Sequence, residues 1–257
     1  MSNLMPIIFI GHGSPMNGIE DNEFARAWHN LALEIPKPDL ILSISAHWVT
    51  KGTRLTANDK LKTIHDFYGF PQELYNIEYP ALGAPEFAEK ILEQVSEVQI
   101  TLDNSWGLDH GTWIVLRRMY PKAQIPVIQM SLDYAKNPNE HYELGKELKK
   151  LRNQSVLILG SGNIVHNLGM MNPYTTLPFE WAMKYDELIK ELIEQKDYSS
   201  VINYQNFGKI AQLSIPTNEH YLPLLYILAA SDKKDSLSFS CEKIVYGSVS
   251  MRSVIFS

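Results

Sequence analysis

The sequence predicts a single-domain α/β fold with a mostly parallel central sheet, and three observations support this prediction. Short apolar runs rich in β-branched residues recur along the chain, which is typical of buried strands. Segments with helical spacing lie between these runs, and this alternation favours a parallel sheet with helices on both faces. Residues 1–257 contain no internal repeat, low-complexity tract or linker-like stretch, so we expect a single domain.

The predicted elements follow from these patterns in chain order. The apolar runs predict strands at Pro6–Ile10, Asp39–Ser45, Pro126–Met130 and Ser155–Leu159. Helical spacing predicts helices at Asn22–Glu34, Ala84–Val95, Gly111–Tyr120, Pro138–Leu151 and Phe179–Gln195. The segment Ser236–Phe256 has strand character interrupted by Gly247, which predicts a terminal hairpin. In such a sheet the functional site is expected at the carboxyl ends of the strands, where loops converge.

Composition excludes several classes of protein and partner. A chain of 257 residues with 45% hydrophobic and 20% charged residues can bury a large core, which argues against disorder. Its net charge of −6 provides no general attraction for phosphate backbones or anionic lipids, so neither nucleic acid nor membrane is an expected partner. Cys241 is the only cysteine, which favours a reducing cytoplasm. No secretion signal or 18-residue apolar run is present.

Five of the eight histidines predict a shared metal site. His12, His47, His110 and His166 have glycines or small residues as neighbours, and His220 leads into an apolar helix. At least three of the five fall in loops at predicted strand ends, where side chains from separate loops can surround one ion. Neutral imidazole is a good ligand for iron and zinc, and three protein ligands leave positions open for water or substrate.

The remaining histidines have simpler interpretations. A single loop histidine is usually a surface or capping residue, and His29 and His141 lie within predicted helices, where we expect them to be solvated or packed. His65 precedes an aromatic loop, so it either contacts substrate or makes a structural hydrogen bond. Asp66 either pairs with a substrate ammonium group or is a hydrogen-bonded loop residue.

Two glycine-rich segments do not fit nucleotide-binding motifs. Gly160-Ser-Gly162 follows a predicted strand, but Val165 replaces the last glycine of a dinucleotide fingerprint and no strand with a ribose-binding acid follows. Gly11-His-Gly13-Ser14 lacks the lysine of a phosphate loop and does not match a nucleophile elbow. The sequence therefore predicts neither NAD binding nor NTP hydrolysis.

Six ordered motifs resemble a known family. They are Gly-His-Gly-Ser-Pro-Met at 11–16, Ser-Ala-His-Trp at 45–48, His-Asp-Phe-Tyr-Gly-Phe-Pro at 65–71, Leu-Asp-His-Gly-Thr-Trp at 108–113, Gly-Ser-Gly-Asn-Ile-Val-His-Asn-Leu at 160–168 and Glu-His-Tyr-Leu-Pro at 219–223. Together they resemble the 4,5-DOPA extradiol dioxygenases, class III extradiol enzymes related to the catalytic subunit of protocatechuate 4,5-dioxygenase. The motifs are specific for the family and much less specific for the substrate.

The resemblance implies an α/β fold with one metal ion in a pocket. Its first two ligands correspond to His12 and His47. The third position corresponds to His220, with Glu219 beside it, whereas protocatechuate-type relatives use a carboxylate there. His166 corresponds to a second-sphere or fourth-ligand histidine, and His110 to a residue that handles protons near the substrate. Three neutral imidazoles leave the metal its full charge, which suits zinc as well as iron.

The activity that the resemblance implies is extradiol ring cleavage. O2 would open the ring of a small catechol, with a DOPA-like catechol as one candidate, and give a semialdehyde. His166 is expected to act as general acid and base, with His110 orienting substrate or oxygen. The cofactor is expected to be one Zn2+ or Fe2+ per chain, but zinc is redox-inert and cannot carry out this electron transfer.

Two alternatives remain open at this point. If zinc is the physiological metal, a zinc-dependent hydrolase could use the same pocket. A non-catalytic binding protein could also keep the fold, although such a protein would not need all five histidines. We expect a monomer or a small homo-oligomer, and oxygen uptake with iron and a catechol separates the dioxygenase from both alternatives.

Overall fold

The structure is a computed structural model that describes residues 4–95, 98–175 and 177–257, and strands and helices alternate along most of its length. The strands are β1 (Ile7–Gly11), β2 (Leu40–Thr50), β3 (Thr53–Thr56), β4 (Ile100–Asp103), β5 (Val127–Asp133), β6 (Val156–Gly162), β7 (Leu237–Ser240), β8 (Ile244–Val245), β9 (Val249–Ser250) and β10 (Ser253–Phe256). The helices are α1 (Glu23–Glu34), α2 (Gln72–Tyr75), α3 (Pro85–Gln94), α4 (His110–Met119), α5 (Pro138–Leu148), α6 (Glu180–Glu194), α7 (Tyr198–Ile202), α8 (Lys209–Ser214) and α9 (Leu222–Ala230).

The main sheet has a parallel centre and antiparallel margins. Its strands follow the order β4-β3-β5-β2-β6-β1-β10-β7. The central strands β5, β2, β6 and β1 pair in parallel, whereas β10 and β7 extend the sheet antiparallel beyond β1. On the other side, β3 pairs antiparallel with β5 and parallel with β4. The predicted α/β class with a mostly parallel central sheet flanked by helices is therefore confirmed.

Both faces of the sheet are covered, as the alternating side chains of β1 show. Ile7 and Phe9 pack into a core that includes α5, α6 and α9, whereas Ile8 and Ile10 pack into a core that includes α1 and α4. Helix α9 is buried at every position, which matches its uniformly apolar sequence. In the described part of the chain, no helix is long and apolar enough to cross a membrane.

The structure corrects several predicted boundaries. The strand predicted at Asp39–Ser45 runs from Leu40 to Thr50, with a register shift between Ile44 and Val49. Strands β3 and β4 were not predicted, because each is only four residues long and mixes polar with apolar side chains. In place of a simple terminal hairpin, β7 pairs with β10 and the small β8–β9 ribbon lies between them in the chain.

The buried ion pair between Arg152 and Asp235 connects the ends of several elements. Arg152 is 1% exposed, and its guanidinium contacts both carboxylate oxygens of Asp235, at 2.7 and 2.8 Å. It also donates to the backbone carbonyls of Met5, at 2.7 Å, and Ala230, at 3.0 Å. The pair therefore joins the segment before β1 to the end of α9 and the start of β7.

We expect Asp235→Ala to lower the free energy of unfolding by roughly 3–5 kcal/mol, because it leaves a buried positive charge without its counterion. Urea denaturation measures the change. As a matched control, Glu143→Ala removes a carboxylate that contacts Lys146 at 2.7 Å on the exposed face of α5. That surface pair is expected to contribute only about 0–1 kcal/mol. Equal effects of the two substitutions would contradict a special role for the buried pair.

Candidate metal centre and active site

The five histidines singled out in the sequence converge at one edge of the sheet. Each comes from a different segment: His12 directly follows β1, His47 lies in the extension of β2, His110 begins α4, His166 follows β6 and His220 precedes α9. All five line one cavity of about 530 Å³. Because β1, β2 and β6 are parallel neighbours, their carboxyl ends bring His12, His47 and His166 together, and the starts of α4 and α9 add His110 and His220.

Three of the imidazoles form a compact group suited to one metal ion. Ligand nitrogens of His12, His47 and His220 all lie within 4.8 Å of one another. The Nε2 atoms of His12 and His47 are 3.0 Å apart. The ring centroids are separated by 5.0 Å for His12 and His47, 5.4 Å for His12 and His220, and 4.9 Å for His47 and His220.

The tautomer of His12 follows from its hydrogen bonds. Its Nδ1 lies 3.0 Å from the hydroxyl oxygen of Ser161, which in turn donates its proton to the Gly111 carbonyl at 2.6 Å. The Ser161 oxygen must therefore accept, so Nδ1 of His12 carries the proton and Nε2 has a free lone pair. Free lone pairs on Nε2 are what a metal ligand requires.

The other two members of the group have carboxylates beside their Nδ1 atoms. Nδ1 of His220 lies 3.2 Å from Oε1 of Glu219, and Nδ1 of His47 lies 3.5 Å from Oδ2 of Asp66. A partner on Nδ1 orients a ligating imidazole and increases its basicity. In all three residues Nε2 is therefore the nitrogen available to an ion.

The local electrostatics keep these imidazoles neutral. Burial first, and then the mutual repulsion of neighbouring histidines, holds the pKa of His12 and His220 well below the usual range. Burial also lowers the pKa of His47, with a further contribution from His110. In the described part of the chain, the buried Nε2 of His220 has no hydrogen-bond partner. A neutral imidazole with an unpartnered, buried nitrogen fits a bound metal cation.

Gly162 makes room for His220. A Cβ atom at Gly162 would lie 2.0 Å from the His220 carbonyl oxygen, so any side chain there would displace this histidine. The same carbonyl accepts a hydrogen bond from the backbone N–H of Asn163 at 2.9 Å. The glycine-rich segment that did not fit a dinucleotide fingerprint thus allows β6 to approach the segment carrying His220.

His166 lies against His220. Their rings stack with centroids 3.5 Å apart and an interplanar angle of 10°. Burial lowers the pKa of His166 to about 4, which leaves the ring neutral at pH 7. A ring nitrogen of His166 lies within 4.8 Å of ligand atoms of Glu219 and His220. His166 is not part of the His12–His47–His220 group. His166 therefore borders the three-imidazole group from the side of His220.

His110 lies beside His47 and is hydrogen-bonded to Asp66. Asp66 accepts from the backbone N–H of His110 through Oδ1 at 2.9 Å, and its Oδ2 lies 2.9 Å from Nδ1 of His110. Burial raises the pKa of this carboxyl, but hydrogen bonds and charge from His110 outweigh it and the net pKa is lowered. The ring centroids of His110 and His47 are 3.9 Å apart.

A buried carboxylate next to His110 was not identified from the sequence. Asp109 accepts hydrogen bonds from the Ser45 hydroxyl at 2.7 Å, from the Thr112 backbone N–H at 3.0 Å and from the Gln129 amide. Burial, followed by repulsion from Asp66, raises the pKa of Asp109 to about 6. This residue caps α4 and links it to β2 and β5. The Leu-Asp-His motif contained the signal, because aspartate is a favoured N-cap.

The cavity wall combines aromatic and apolar side chains. Phe67, Phe70, Leu168, Met171 and Val249 line it, and Tyr68 lies at its rim with 91% of its surface exposed. None of the described residues that line it is a lysine or an arginine. A larger cleft of about 840 Å³ is lined by Glu219 but by none of the five histidines. The smaller cavity is therefore the one lined by the candidate metal-binding and catalytic histidines.

Two predicted substrate contacts have partners within the protein. Nε2 of His65 lies 3.0 Å from the Ile77 carbonyl, and His65 is not among the residues lining the cavity. This geometry favours the structural alternative for His65. Asp66 does line the cavity, but both of its oxygens contact His110. Of the other histidines, His29 is exposed and His141 is buried against the Tyr226 hydroxyl at 2.8 Å, as expected of solvated or packed residues.

Comparison with known proteins assigns this site to a class. Residues 5–255 match the family model described as the catalytic LigB subunit of aromatic ring-opening dioxygenase. The match covers nearly the whole chain. The chain therefore belongs to the LigB family of aromatic ring-opening dioxygenases, as the six motifs indicated.

Individual relatives and a solved structure are similar over most of the chain. A 4,5-DOPA dioxygenase extradiol of Escherichia coli (strain K12) is 43% identical over 258 residues, covering 98% of this chain and 95% of that protein. A protein of the same name from Beta vulgaris is 35% identical over 236 residues, covering 89% and 88%. The crystal structure of an uncharacterized protein from Escherichia coli K12 has a TM-score of 0.85 and 39% identity, covering 98% of this chain and 100% of that one.

These findings establish the general activity. The protein is an extradiol aromatic ring-opening dioxygenase, and enzymes of this family depend on a metal and act on an aromatic substrate with O2. The predicted enzyme class is confirmed, and the alternatives of a zinc hydrolase or a non-catalytic binding protein are not favoured.

Proposed function

We propose that His12, His47 and His220 hold one Fe2+ through their Nε2 atoms within a single catalytic domain of residues 1–257. The observation that carries this proposal is the convergence of three neutral imidazoles whose Nδ1 atoms each have a partner. Iron is preferred to zinc because ring opening by O2 requires a redox-active ion, although the same ligands suit zinc. When bound, the metal supplies Lewis acidity and electron transfer between catechol and O2.

The protein residues around the metal would bind the substrate and move protons. We assign His166 as the base that accepts a catechol proton and later returns it, because its ring is neutral and lines the cavity. It could also approach the ion as a fourth ligand. His110 would orient substrate or oxygen through Nε2, since its Nδ1 faces Asp66.

The cavity supports a small catechol as substrate. Phe67 and Phe70 offer aromatic surface to a planar ring, and offset ring contacts add roughly 0.5–1.5 kcal/mol beyond area burial. The names of the two relatives indicate DOPA, and a cavity of about 530 Å³ can accommodate a ring of that size. We therefore propose a DOPA-like catechol that is opened to a semialdehyde containing both atoms of O2. A cytoplasmic location is supported by the free cysteine Cys241.

Oxygen uptake tests the proposed function directly. The purified chain, loaded anaerobically with Fe2+, is expected to consume one O2 per DOPA and to form an absorbing semialdehyde, measured with an oxygen electrode and a spectrophotometer. The zinc-loaded protein should consume none, because zinc cannot transfer electrons. Resorcinol serves as a control, since its hydroxyl groups are not adjacent. Absence of oxygen uptake by the iron-loaded protein with DOPA would contradict the proposed metal and substrate.

A further inference from the structure

Asp66 occupies a position between two histidines of the site. Its loop is brought there by the Ile64 backbone N–H, which donates to the Leu108 carbonyl at 2.8 Å. As a result, Oδ1 of Asp66 accepts from the backbone N–H of His110, and Oδ2 lies 2.9 Å from His110 Nδ1 and 3.5 Å from His47 Nδ1. One carboxylate thus contacts a proposed metal ligand and a proposed proton-handling residue.

These contacts determine the tautomer of His110. A carboxylate offers only hydrogen-bond acceptors, so the proton of a neutral His110 ring must lie on Nδ1 to satisfy the 2.9 Å contact. Nε2 is then unprotonated and is the nitrogen that a ligand in the cavity can meet. The second hydrogen bond, from the backbone, fixes the carboxylate at the first residue of α4 and limits its rotation.

We propose that Asp66 is a positioning residue that holds His110 in the Nδ1–H tautomer and restrains the ring of His47, and that it is not the contact for a substrate ammonium group. The proposal rests on the role assigned to His110. Although Asp66 is exposed as a residue, its side chain is only 21% exposed, which fits a carboxylate turned toward His110. Each of its oxygens has a partner on His110, and Oδ2 also faces His47, so the orientation of the carboxylate is set by contacts within the protein.

Asp66→Asn is the informative substitution, because an amide has one acceptor oxygen for two donors. Either the backbone N–H or Nδ1–H of His110 would face the amide NH2 group. We expect the preference for a single tautomer to be lost and kcat to fall roughly 10- to 100-fold, the usual cost of losing an orienting partner at a metal site. Metal content should fall by less than in variants of the ligands, since His47 keeps its own Nε2.

The experiment uses the full-length, zinc-loaded protein labelled with 15N-histidine, because zinc is diamagnetic. Long-range NMR couplings should report Nδ1–H for His110 in the unmodified protein, with the signal assigned by its loss in His110→Gln. Glu73→Gln, which removes a charge from the exposed surface of α2, is the control and should leave this tautomer unchanged. Asp66→Glu keeps both acceptors and should retain the tautomer, which also covers the case in which Asp66→Asn fails to fold.

Kinetics with the iron-loaded protein distinguish positioning from substrate recognition. Positioning predicts an equal loss of kcat with dopamine and with uncharged 4-methylcatechol, and little change in KM. A selective rise in KM for dopamine, or an unchanged His110 tautomer in Asp66→Asn, would overturn the proposal. If no catechol is turned over, the proposed function fails, but the NMR measurement still decides the role of Asp66.

Discussion

Replacing His220 with alanine is expected to remove most of the bound metal and the ring-opening activity while leaving the fold intact. His220 supplies the third imidazole of the group, and its buried Nε2 has no other partner in the described structure. Losing a ligand should reduce metal affinity by more than the roughly 10- to 100-fold that losing an orienting neighbour costs. The fold should survive because the contact that Asn163 makes to this residue uses the backbone carbonyl, which alanine retains.

Elemental analysis and competition with a metal chelator measure the effect. His12→Ala and His47→Ala should behave like His220→Ala, whereas His29→Ala, on the exposed face of α1, should keep full metal content. Thermal unfolding of the metal-free proteins checks that the fold is unchanged. Full metal content in His220→Ala would show that Glu219 or another group is the true third ligand, and would exclude the three-imidazole arrangement.

The sequence predicted the parallel core because buried strands have a continuous apolar pattern. Strands β1, β5 and β6 each begin and end within a few residues of the prediction. Strand β2 was predicted to stop at Ser45, before His47, but it extends to Thr50. The structure continues the strand through a register shift, a feature that depends on the neighbouring strand and not on local sequence.

The cluster of histidines was predictable, but their partners were not. Small neighbours pointed to His12, His47, His110 and His166, several of them at predicted strand ends, and His220 stood before an apolar helix. Ser161 was missed because its contact with His12 depends on the pairing of β1 with β6, which places Gly11 opposite Gly162. The sequence leaves a substrate contact open for Asp66, because it cannot reveal that His110, 44 positions away, lies within hydrogen-bond distance.

The second large effect, on the catalytic rate, is expected from His110 and His166, the two histidines that line the cavity outside the three-imidazole group. His166→Gln and His110→Ala should each lower kcat by roughly 10²- to 10⁴-fold, the usual range for losing an acid–base group. The two should differ in metal content. His110 contacts Asp66 through Nδ1 and is not needed as a ligand, so His110→Ala should retain its metal. The rings of His166 and His220 stack with their centroids 3.5 Å apart, so His166→Gln should lose part of its bound metal.

Single-turnover measurements at saturating metal separate these contributions. Under those conditions a variant impaired only in metal binding recovers its rate, whereas a variant that lacks a proton-transfer group remains slow. His166→Gln should therefore remain slow even when fully loaded, with substrate affinity near that of the unmodified protein, and His29→Ala should match the unmodified protein throughout. Rates near the unmodified value in both His110→Ala and His166→Gln would remove the acid–base assignment. The proton would then have to pass to water or to another group in the cavity, while the three-imidazole centre would be unaffected.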